Sequence, residues 1–348
     1  MAALMEDAQQ RRLQVLIAVP QEDEPGKPTL RRLGFRADAE YFYPASAVKL
    51  AVAIAAAQKL DEESATLATP LRVVEREGPR AKTVDTTLSD EIERALVISD
   101  NEANNRLFEL VGKDELAERL ASMGLPSARI VHRLGDPGER KSYAFELAPE
   151  GKAPSVVAQR VGFEAPPAPA DGTLVGTSHV DETGHLVARP MSFADKNRMT
   201  LRDLQDVLIA VMRPELAEGI DLRLSPEARS ELVTVLGTLP SESRHGYPRS
   251  LDDVHKPMFG AVSAALPGDR VRVYGKSGRA YGFTIECSYV VDETSGRSVF
   301  VAAAVYANDN GTLNDDRYQY EDVAEPFIAA LGQVVARSFL AAKPSPGD

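Results

Sequence analysis

The stretch 43–50 constrains this chain more than any other, because it places a serine and a lysine directly before an apolar helix. Ser46 and Lys49 stand three positions apart, and small apolar residues fill positions 51–57. Positions i and i+3 of a helix share a face, so we expect Lys49 to stand over the hydroxyl of Ser46. A helix that is apolar on all sides lies inside a protein. The stretch therefore predicts a buried central helix whose first turn carries a serine beside a lysine.

A serine in the first turn of a helix is well placed to act as a nucleophile. The free backbone N–H groups and the helix dipole at that end favour negative charge. They would stabilise the oxyanion that forms when Ser46 attacks an acyl group. The pair alone is not diagnostic, because ordinary helices also contain a serine and a lysine at this spacing.

The composition is that of an ordinary globular protein and argues against two kinds of partner. The chain has 348 residues, 43% hydrophobic and 26% charged, enough to bury a substantial core in one large domain or two smaller ones. Its net charge of −12 argues against nucleic acid or an anionic membrane surface as the main partner. Its one cysteine, Cys287, cannot form an internal disulfide, and its apolar surroundings predict a buried, unreactive thiol.

The N-terminal residues predict neither a signal peptide nor a membrane span. Residues 1–7 are acidic and lack the basic start and apolar core of a signal. Residues 13–19 are apolar but too short to cross a bilayer, and they end at Pro20. We therefore expect a chain that is made without a signal or is trimmed to its mature form.

Hydrophobic periodicity predicts strands at both ends of the chain and helices between them. We expect strands at 13–19, 29–36, 270–274, 283–291 and 298–306. We expect helices at about 45–60, in three runs between 88 and 123, and at 200–212, 225–236 and 327–341. The predicted fold class is α+β, with an antiparallel sheet formed by residues 1–45 and 255–348 and an inserted all-helical subdomain at 46–254.

Residues 133–198 depart from this pattern. Three prolines stand between positions 166 and 169, glycines are frequent, and helical periodicity is weak. We interpret the stretch as a long insertion or extended loop that packs on the surface near a site.

Two further motifs complete a constellation with Ser46 and Lys49. Ser99-Asp100-Asn101 lies between two predicted helices, and Lys276-Ser277-Gly278 ends a predicted strand. Alone, the first could be a helix N-cap and the second a hairpin turn. In this order, the three motifs are those of penicillin-binding proteins and class A β-lactamases.

On these residues the chain resembles the penicillin-recognising serine hydrolases, most nearly the class A β-lactamase type. The resemblance covers most of the chain except 133–198, where we place the excess length between the second and third motifs. Residues 276–283 and 313–316 are similar to those of little-characterised serine hydrolases grouped with class A.

The resemblance implies a role for each residue of the first two motifs. Ser46 would attack an acyl carbonyl and form an acyl-enzyme, and Lys49 would accept its proton. Burial can lower the pKa of a lysine by about 3–5 units, which makes it a usable base. Ser99 would pass the proton to the leaving nitrogen, and Asn101 would hold the substrate amide and Lys49.

The third motif would bind the substrate. The resemblance implies that Lys276 and Ser277 hold its carboxylate and that Gly278 and Arg279 also belong to the substrate-binding residues. The backbone N–H groups of Ser46 and Arg279 would form the oxyanion hole, where one donor lowers the barrier by roughly 3–4 kcal/mol.

Two departures from class A bear on function. Class A enzymes use a glutamate in an Ω-shaped loop to activate the deacylating water, and its signature is missing here. The candidates are Glu139, Glu146 and Glu164, of which Glu146 has the nearest context. Without such a base, the enzyme would acylate and stall.

The second departure concerns the substrate carboxylate. Many class A enzymes place an arginine nine positions after the lysine of the third motif, where this chain has Ile285 followed by Glu286. Arg279 is the candidate substitute.

A metal site is not expected. His179 and His185, with Asp181 and Glu182 between them, contain ligand-type side chains, but they fall in the irregular stretch and are typical of a solvated loop.

The sequence therefore predicts a class A-like β-lactamase that opens the β-lactam amide. A D-alanyl peptidase or esterase of the same fold, or a non-hydrolysing penicillin-binding sensor, is the alternative. We expect a monomer that acts on a small molecule or peptide without a cofactor. The resemblance implies a periplasmic or secreted location.

Overall fold

Strands from the two ends of the chain and helices from its middle make up the fold. The computed structural model describes residues 6–135, 141–151, 153–158, 172–266 and 270–341. The strands are β1 (Gln14–Glu24), β2 (Lys27–Phe35), β3 (Pro70–Glu77), β4 (Arg80–Thr87), β5 (Lys141–Leu147), β6 (Ser155–Val156), β7 (Leu174–Val175), β8 (Ser178–Val180), β9 (Leu186–Val187), β10 (Met191–Ser192), β11 (Val271–Gly275), β12 (Gly278–Ala280), β13 (Phe283–Asp292), β14 (Ser298–Tyr306) and β15 (Thr312–Leu313). The α-helices are α1 (Lys49–Glu62), α2 (Leu88–Val97), α3 (Asn101–Val111), α4 (Lys113–Ser122), α5 (Leu201–Met212), α6 (Pro226–Gly237), α7 (Asp252–His255), α8 (Phe259–Ala265) and α9 (Glu325–Val335).

The main sheet joins the N-terminal and C-terminal segments. Its strand order is β11-β13-β14-β1-β2, with β12 also paired to β13. Every pairing in this sheet is antiparallel. The β13–β14 hairpin turns through Gly296 at a φ of 72°, a conformation that glycine adopts without strain. The predicted α+β class and the antiparallel sheet built from both ends are confirmed.

The two faces of this sheet bury different sets of side chains, because successive residues of a strand point to opposite faces. On one face, Val290, Val299 and Val301 pack with residues of α8 and α9. On the other face, Ile285 and Phe300 belong to the core that also contains α1 and α5. The sheet is therefore a middle layer with helices on both sides.

Helix α1 lies at the centre of the larger core, as the apolar stretch predicts. Every residue from Lys49 to Leu60 is buried. Val52, Ile54 and Leu60 have no exposed surface, and burial of each such side chain stabilises the fold by about 1.5–3 kcal/mol. Helix α1, including the first turn that carries Lys49, is therefore held firmly in the core.

The inserted middle segment is not all-helical, and this correction concerns residues 70–87 and 141–156. Strands β3, β4, β5 and β6 form a second antiparallel sheet with the order β4-β3-β5-β6. Most of β4 is exposed and polar, so it lacks the apolar alternation that marks a strand in a sequence. The predicted division of the chain at 45/46 and 254/255 stays a prediction.

Within 133–198 the described residues contain short strands rather than helices. Strand β10 pairs with β7, and β8 lies between β9 and β15 in a small three-stranded sheet. The pairing of β8 with β15 anchors the insertion to the C-terminal part of the chain.

The helical stretch Tyr320–Leu340 is long and apolar enough to cross a membrane by length and composition. Phe327, Ile328 and Val335 on this stretch are buried in the core beneath the main sheet. Burial of this kind is typical of a core helix. Core helices can meet the same criteria of length and hydropathy as membrane-spanning helices.

Candidate active site

A tight turn brings Ser46 and Lys49 together at the start of α1. Ala45–Val48 forms a 3₁₀ turn that runs directly into the helix. The backbone N–H of Lys49 donates to the carbonyl oxygen of Ser46. Side chains at i and i+3 eclipse in a 3₁₀ turn, which places Lys49 on the side of Ser46. Ser46 is half-buried, whereas Lys49 has no exposed surface.

Uncharged oxygens surround the ammonium group of Lys49. Its Nζ donates to the backbone oxygen of Ser99 at 2.5 Å, to Ser99 Oγ at 3.2 Å and to Asn101 Oδ1 at 2.7 Å. Burial lowers the pKa of Lys49 to about 7, although the nearby charge of Asp100 acts in the opposite direction. A lysine in this state can accept a proton near neutral pH.

The second motif serves as a helix cap and as part of the site at once. Asp100 caps α3 by accepting hydrogen bonds from the N–H groups of Glu102 and Ala103. Ser99 adopts a φ of 59°, in the left-handed region that non-glycine residues rarely occupy. This conformation lets both flanking residues, Ser99 and Asn101, face Lys49. The motif can therefore be a helix N-cap and part of the candidate site at the same time.

Gly278 allows the third motif to approach the serine turn. A Cβ atom at Gly278 would lie 2.6 Å from the oxygen of Pro44 and 2.8 Å from the nitrogens of Ser46 and Ala47. No larger residue fits there without displacing backbone. Strand β12, which continues into Arg279, thus lies directly against the backbone of Ser46.

Lys276 is buried behind this contact. Its Nζ donates to the oxygen of Ser277 at 2.8 Å, and its exposure is 3%. Burial lowers the pKa of Lys276 well below its usual range, and the charges of Lys49 and Lys256 lower it further. The hydroxyl of Ser277 donates to the backbone oxygen of His255 at 3.2 Å.

Two buried ionisable residues, Lys256 and Glu286, lie near the third motif, and sequence reasoning missed Lys256. Lys256 donates from Nζ to the oxygens of Leu236 and Gly275 at 2.5 and 2.6 Å. Burial lowers the pKa of Lys256 to about 8, and the charge of Glu286 opposes that shift. Burial raises the pKa of Glu286, against the charges of Lys256 and Lys276. Lys256 therefore ties the end of β11 to the end of α6.

A cavity of about 1060 Å³ opens beside Ser46. Of the residues that the sequence assigns to the site, Ser46, Asn101 and Arg279 line its wall. The other five residues of the three motifs do not line the cavity and make the contacts described above: Lys49, Ser99, Lys276, Ser277 and Gly278. Four tyrosines also line it: Tyr43, Tyr281, Tyr318 and Tyr320.

An aromatic cluster forms the part of the cavity next to Ser46. Tyr281 packs edge-on against Tyr43 and Phe193, with ring centroids 5.2 and 5.3 Å apart. Tyr43 also stacks on His132 at 6.3 Å. Tyr43 lies in the first motif stretch and Tyr281 in the stretch 276–283 that carries the resemblance, whereas no motif marks Phe193 or His132.

His132 lines the cavity, but both of its ring nitrogens already have backbone partners. Nδ1 lies 2.6 Å from the oxygen of Arg133, and Nε2 lies 3.3 Å from the nitrogen of Asn197. Burial lowers the pKa of His132, and the charge of Lys196 lowers it further. This histidine therefore holds two segments of the cavity wall together in its neutral form.

The structure does not bring Glu146 to the cavity, which corrects its choice as a deacylation candidate. Glu146 lies on β5 opposite Arg72 of β3 and pairs with Val156 of β6. It is absent from the residues that line the cavity. Glu139 and Glu164 lie outside the described residues. The carboxylates that line the cavity are Glu109, Asp114, Glu182, Asp195 and Asp316.

Ile285 and Glu286 do not provide a carboxylate-binding group. Ile285 pairs with Gly278 and is fully buried in the core, and Glu286 is 1% exposed. Arg279, the predicted substitute, reaches the cavity but is paired with Glu325 at 2.7 Å and stacks over Tyr320.

The ligand-type residues of the insertion form a turn. Asp181 accepts hydrogen bonds from the N–H groups of Thr183 and His185, while His179 bonds to the oxygen of Arg189. In the described parts of the chain, no group of three or more histidine, cysteine, aspartate or glutamate side chains has the arrangement to hold a metal ion.

Comparison with solved structures identifies the fold. A beta-lactamase from Xanthomonas campestris pv. campestris shares 16% identity over 97% of this chain and 96% of its own, with a TM-score of 0.55. One from Sphaerobacter thermophilus shares 16% identity over 97% and 95%, with a TM-score of 0.56. A class A beta-lactamase from Mycobacterium abscessus shares 17% identity over 97% of each chain, with a TM-score of 0.53.

Identities this low establish the fold alone. No curated protein sequence matches the chain. The sequence profile of Beta-lactamase2, described as the beta-lactamase enzyme family, matches residues 1–339. Because this match spans nearly the whole sequence, the chain belongs to the beta-lactamase enzyme family.

Proposed function

We propose that the protein is a serine hydrolase that forms an acyl-enzyme at Ser46 and opens the amide of a β-lactam, as class A enzymes do. The observation that carries the proposal is the environment of Lys49. It is buried one turn from Ser46, its partners are uncharged oxygens, and its pKa is lowered to about 7. A base of this strength beside a serine at a cavity wall is what acyl transfer requires.

Acylation proceeds in balanced steps. Neutral Lys49 accepts the proton of Ser46 Oγ as that oxygen attacks the carbonyl carbon. The N–H groups of Ser46 and Arg279 stabilise the oxyanion. The carbonyl re-forms as the bond from carbon to nitrogen breaks, and the leaving nitrogen receives a proton through Ser99 Oγ, which lies 3.2 Å from Lys49 Nζ. Lys49 is thereby returned to its neutral form.

Substrate binding involves the residues around the nucleophile. Asn101 accepts from Lys49 through Oδ1 and lines the cavity, and its amide nitrogen, which has no hydrogen-bond partner among the residues that the structure describes, would orient a substrate carbonyl. By resemblance to class A enzymes we assign the ring carboxylate to Lys276 and Ser277, which directly follow β11; the Ser277 hydroxyl would exchange its bond to the His255 oxygen for one to that carboxylate.

Hydrolysis of the acyl-enzyme needs an activated water. The position of Glu146 on β5, away from the cavity, favours a second candidate function in which the acyl group persists. In that case the protein is a penicillin-binding sensor or a slow D-alanyl peptidase or esterase of the same fold. By analogy with the family, we propose a periplasmic or secreted location.

Intact-protein mass spectrometry with benzylpenicillin tests the proposal. We expect a mass increment on the Ser46 peptide in the wild type and none in Ser46→Ala. Ser64→Ala, at an exposed serine just beyond the far end of α1, is the matched control and should acylate normally. An increment that disappears with time, with turnover of a chromogenic cephalosporin, identifies a hydrolase. A lasting increment identifies a receptor, and none in the wild type contradicts acylation at Ser46.

A further inference from the structure

Lys196 stands in the cavity without a carboxylate partner. It is half-buried, lines the cavity with Ser46, and its Nζ lies 5.4 Å from the centroid of the Tyr281 ring. No ion pair joins it to any acidic residue in the ranges that the structure describes. A half-buried ammonium over an aromatic face keeps its charge available to a ligand.

The other cations of the cavity are engaged or exposed. Arg133 pairs with Glu109 at 2.8 Å, and Arg279 pairs with Glu325 at 2.7 Å. Lys113 lies on the exposed surface at the start of α4. Lys196 is thus distinguished from its neighbours by partial burial combined with the lack of a carboxylate partner.

The backbone that carries Lys196 is fixed on both sides. Asn197 is fully buried, and its side chain accepts from the N–H groups of Val131 and His132 at 2.8 and 3.3 Å. Phe193 is buried against Tyr281, and its oxygen accepts from the N–H of Lys196 at 3.1 Å. The position of Lys196 is therefore part of the packed wall and does not depend on a free loop.

The position of Lys196 over Tyr281, which directly follows β12, indicates which part of a substrate it would meet. Arg279, whose N–H is assigned to the oxyanion hole, lies midway in sequence between Ser277 and Tyr281. Ser277 directly precedes the three-residue strand β12 and Tyr281 directly follows it, with Arg279 at its centre. Because a strand is extended at about 3.3 Å per residue, Ser277 and Tyr281 lie beyond opposite ends of β12, on either side of the reacting carbonyl. The ring carboxylate is assigned to Ser277 and Lys276. The acyl substituent on the other side of the carbonyl then extends toward Tyr281 and Lys196.

We propose that Lys196 and Tyr281 form a subsite for a carboxylate carried on the acyl substituent of the substrate. The subsite rests on the proposed acylation at Ser46 and adds a substrate preference to it. Five carboxylates also line the cavity. Glu182, Asp195 and Asp316 are exposed, where water screens their charge, Glu109 is paired with Arg133, and Asp114 is half-buried with a partner of its own. An anionic substituent gains affinity by reaching the half-buried Lys196 and not from the cavity as a whole.

The test compares three penicillins that share a nucleus and differ in the charge of the substituent. These are carboxybenzylpenicillin, benzylpenicillin and aminobenzylpenicillin, and the readout is the second-order rate of acylation by intact mass. We expect the wild type to favour the carboxylate over the uncharged substituent by about tenfold, the effect of one charge-assisted hydrogen bond. Lys196→Met should abolish this preference and leave the benzylpenicillin rate within about twofold. Lys196→Arg should keep it.

Lys113→Met, at the exposed lysine of the same cavity, is the matched control and should retain the preference. Each of the following results would overturn the subsite: an unchanged preference in Lys196→Met, an equal loss of rate for all three penicillins in that variant, or faster acylation by the amine-bearing compound in the wild type. Acylation by benzylpenicillin without any preference would contradict the subsite alone. A wild type that none of the three acylates would contradict the proposed function and the subsite together.

Discussion

Helix α1 carries two buried lysines whose surroundings differ. Lys49 at its first turn has no exposed surface and donates only to uncharged oxygens of Ser99 and Asn101. Lys59 near its last turn is 3% exposed and donates to the carboxylate of Glu115 at 2.7 Å. The same helix therefore holds one lysine in an ion pair and one without a neutralising charge among its direct partners.

The environment of Lys59 is that of a structural ion network. Glu115 also accepts from Arg119, which reaches Glu62 at 2.7 Å. Burial would raise the pKa of Glu115, but hydrogen bonds and charges of Lys59 and Arg119 lower it. The network connects α1 to α4.

This difference shows that the partner of a buried lysine, more than burial itself, decides whether the lysine stays protonated. A carboxylate partner favours the ammonium form, whereas neutral acceptors leave the cost of desolvation uncompensated. Lys49 can therefore act as a base, while Lys59 holds helices together.

Replacement of the unpaired lysine should have the largest effect. Lys49→Met removes the proposed base and should slow acylation of Ser46 by about 10²–10⁴-fold, the usual contribution of general base catalysis. The free energy of unfolding should be maintained or raised, because a buried charge is removed. Acylation measured by intact mass and urea unfolding provide the two readouts. A near-normal acylation rate would exclude Lys49 as the base.

Replacement of the paired lysine should do the reverse. Lys59→Met leaves Glu115 with Arg119 alone and should lower the free energy of unfolding by roughly 3 kcal/mol. The acylation rate of the folded fraction should stay within about twofold, since Lys59 does not reach the cavity. The double variant Lys59→Met/Glu115→Gln should recover part of the stability. Much slower acylation in a Lys59→Met protein that remains folded would contradict a purely structural role for Lys59.

A carboxylate introduced beside Lys49 should make it resemble Lys59. Asn101→Asp places a negative charge on an oxygen that now lies 2.7 Å from Nζ, which should raise the pKa of Lys49 by about one unit or more. The neutral fraction of Lys49 at pH 7 should then fall about fivefold or more, so the midpoint of the rise of acylation with pH moves upward, while loss of the amide donor lowers the rate at every pH. Asn101→Ala is the control, because it removes the acceptor without adding charge and should not move the pH midpoint upward.

The smallest effect concerns stability against pH. The folded pKa of Lys49 is about 7 and its ordinary value is 10.5, so the unfolded chain binds more protons between these limits. The free energy of unfolding should therefore rise with pH across this window, by about 1 kcal/mol between pH 7 and 8 from Lys49 alone. The difference between wild type and Lys49→Met isolates this contribution from those of Lys256 and Lys276. Parallel curves for the two proteins would contradict the lowered pKa.

The sequence predicts the local parts of the site and most of the fold. The spacing of Ser46 and Lys49 and the apolar run after them follow from helix periodicity, and the structure places that helix at the core. The strands β1, β13 and β14 follow from β-branched and apolar runs. Each of these features depends on neighbouring residues in the chain, which a sequence displays directly.

The parts that were missed or misplaced depend on long-range packing. Lys196 and Phe193 meet Tyr281 only because the insertion folds against the end of β12. Glu146 was selected for its local context, but pairing of β5 with β3 carries it away from the cavity. No local pattern specifies which strand a polar hairpin will pair with, so neither outcome follows from periodicity.

The role of Lys49 as the base for Ser46 can be tested through the pH dependence of Ser46 acylation between pH 5.5 and 9. The second-order rate of the wild type, followed by intact mass with benzylpenicillin, should rise with a midpoint near pH 7 as Lys49 loses its proton. The midpoint should move upward in Asn101→Asp. A profile that is flat across this range, or one that is identical in the two proteins, would contradict the role of Lys49 as the base for Ser46.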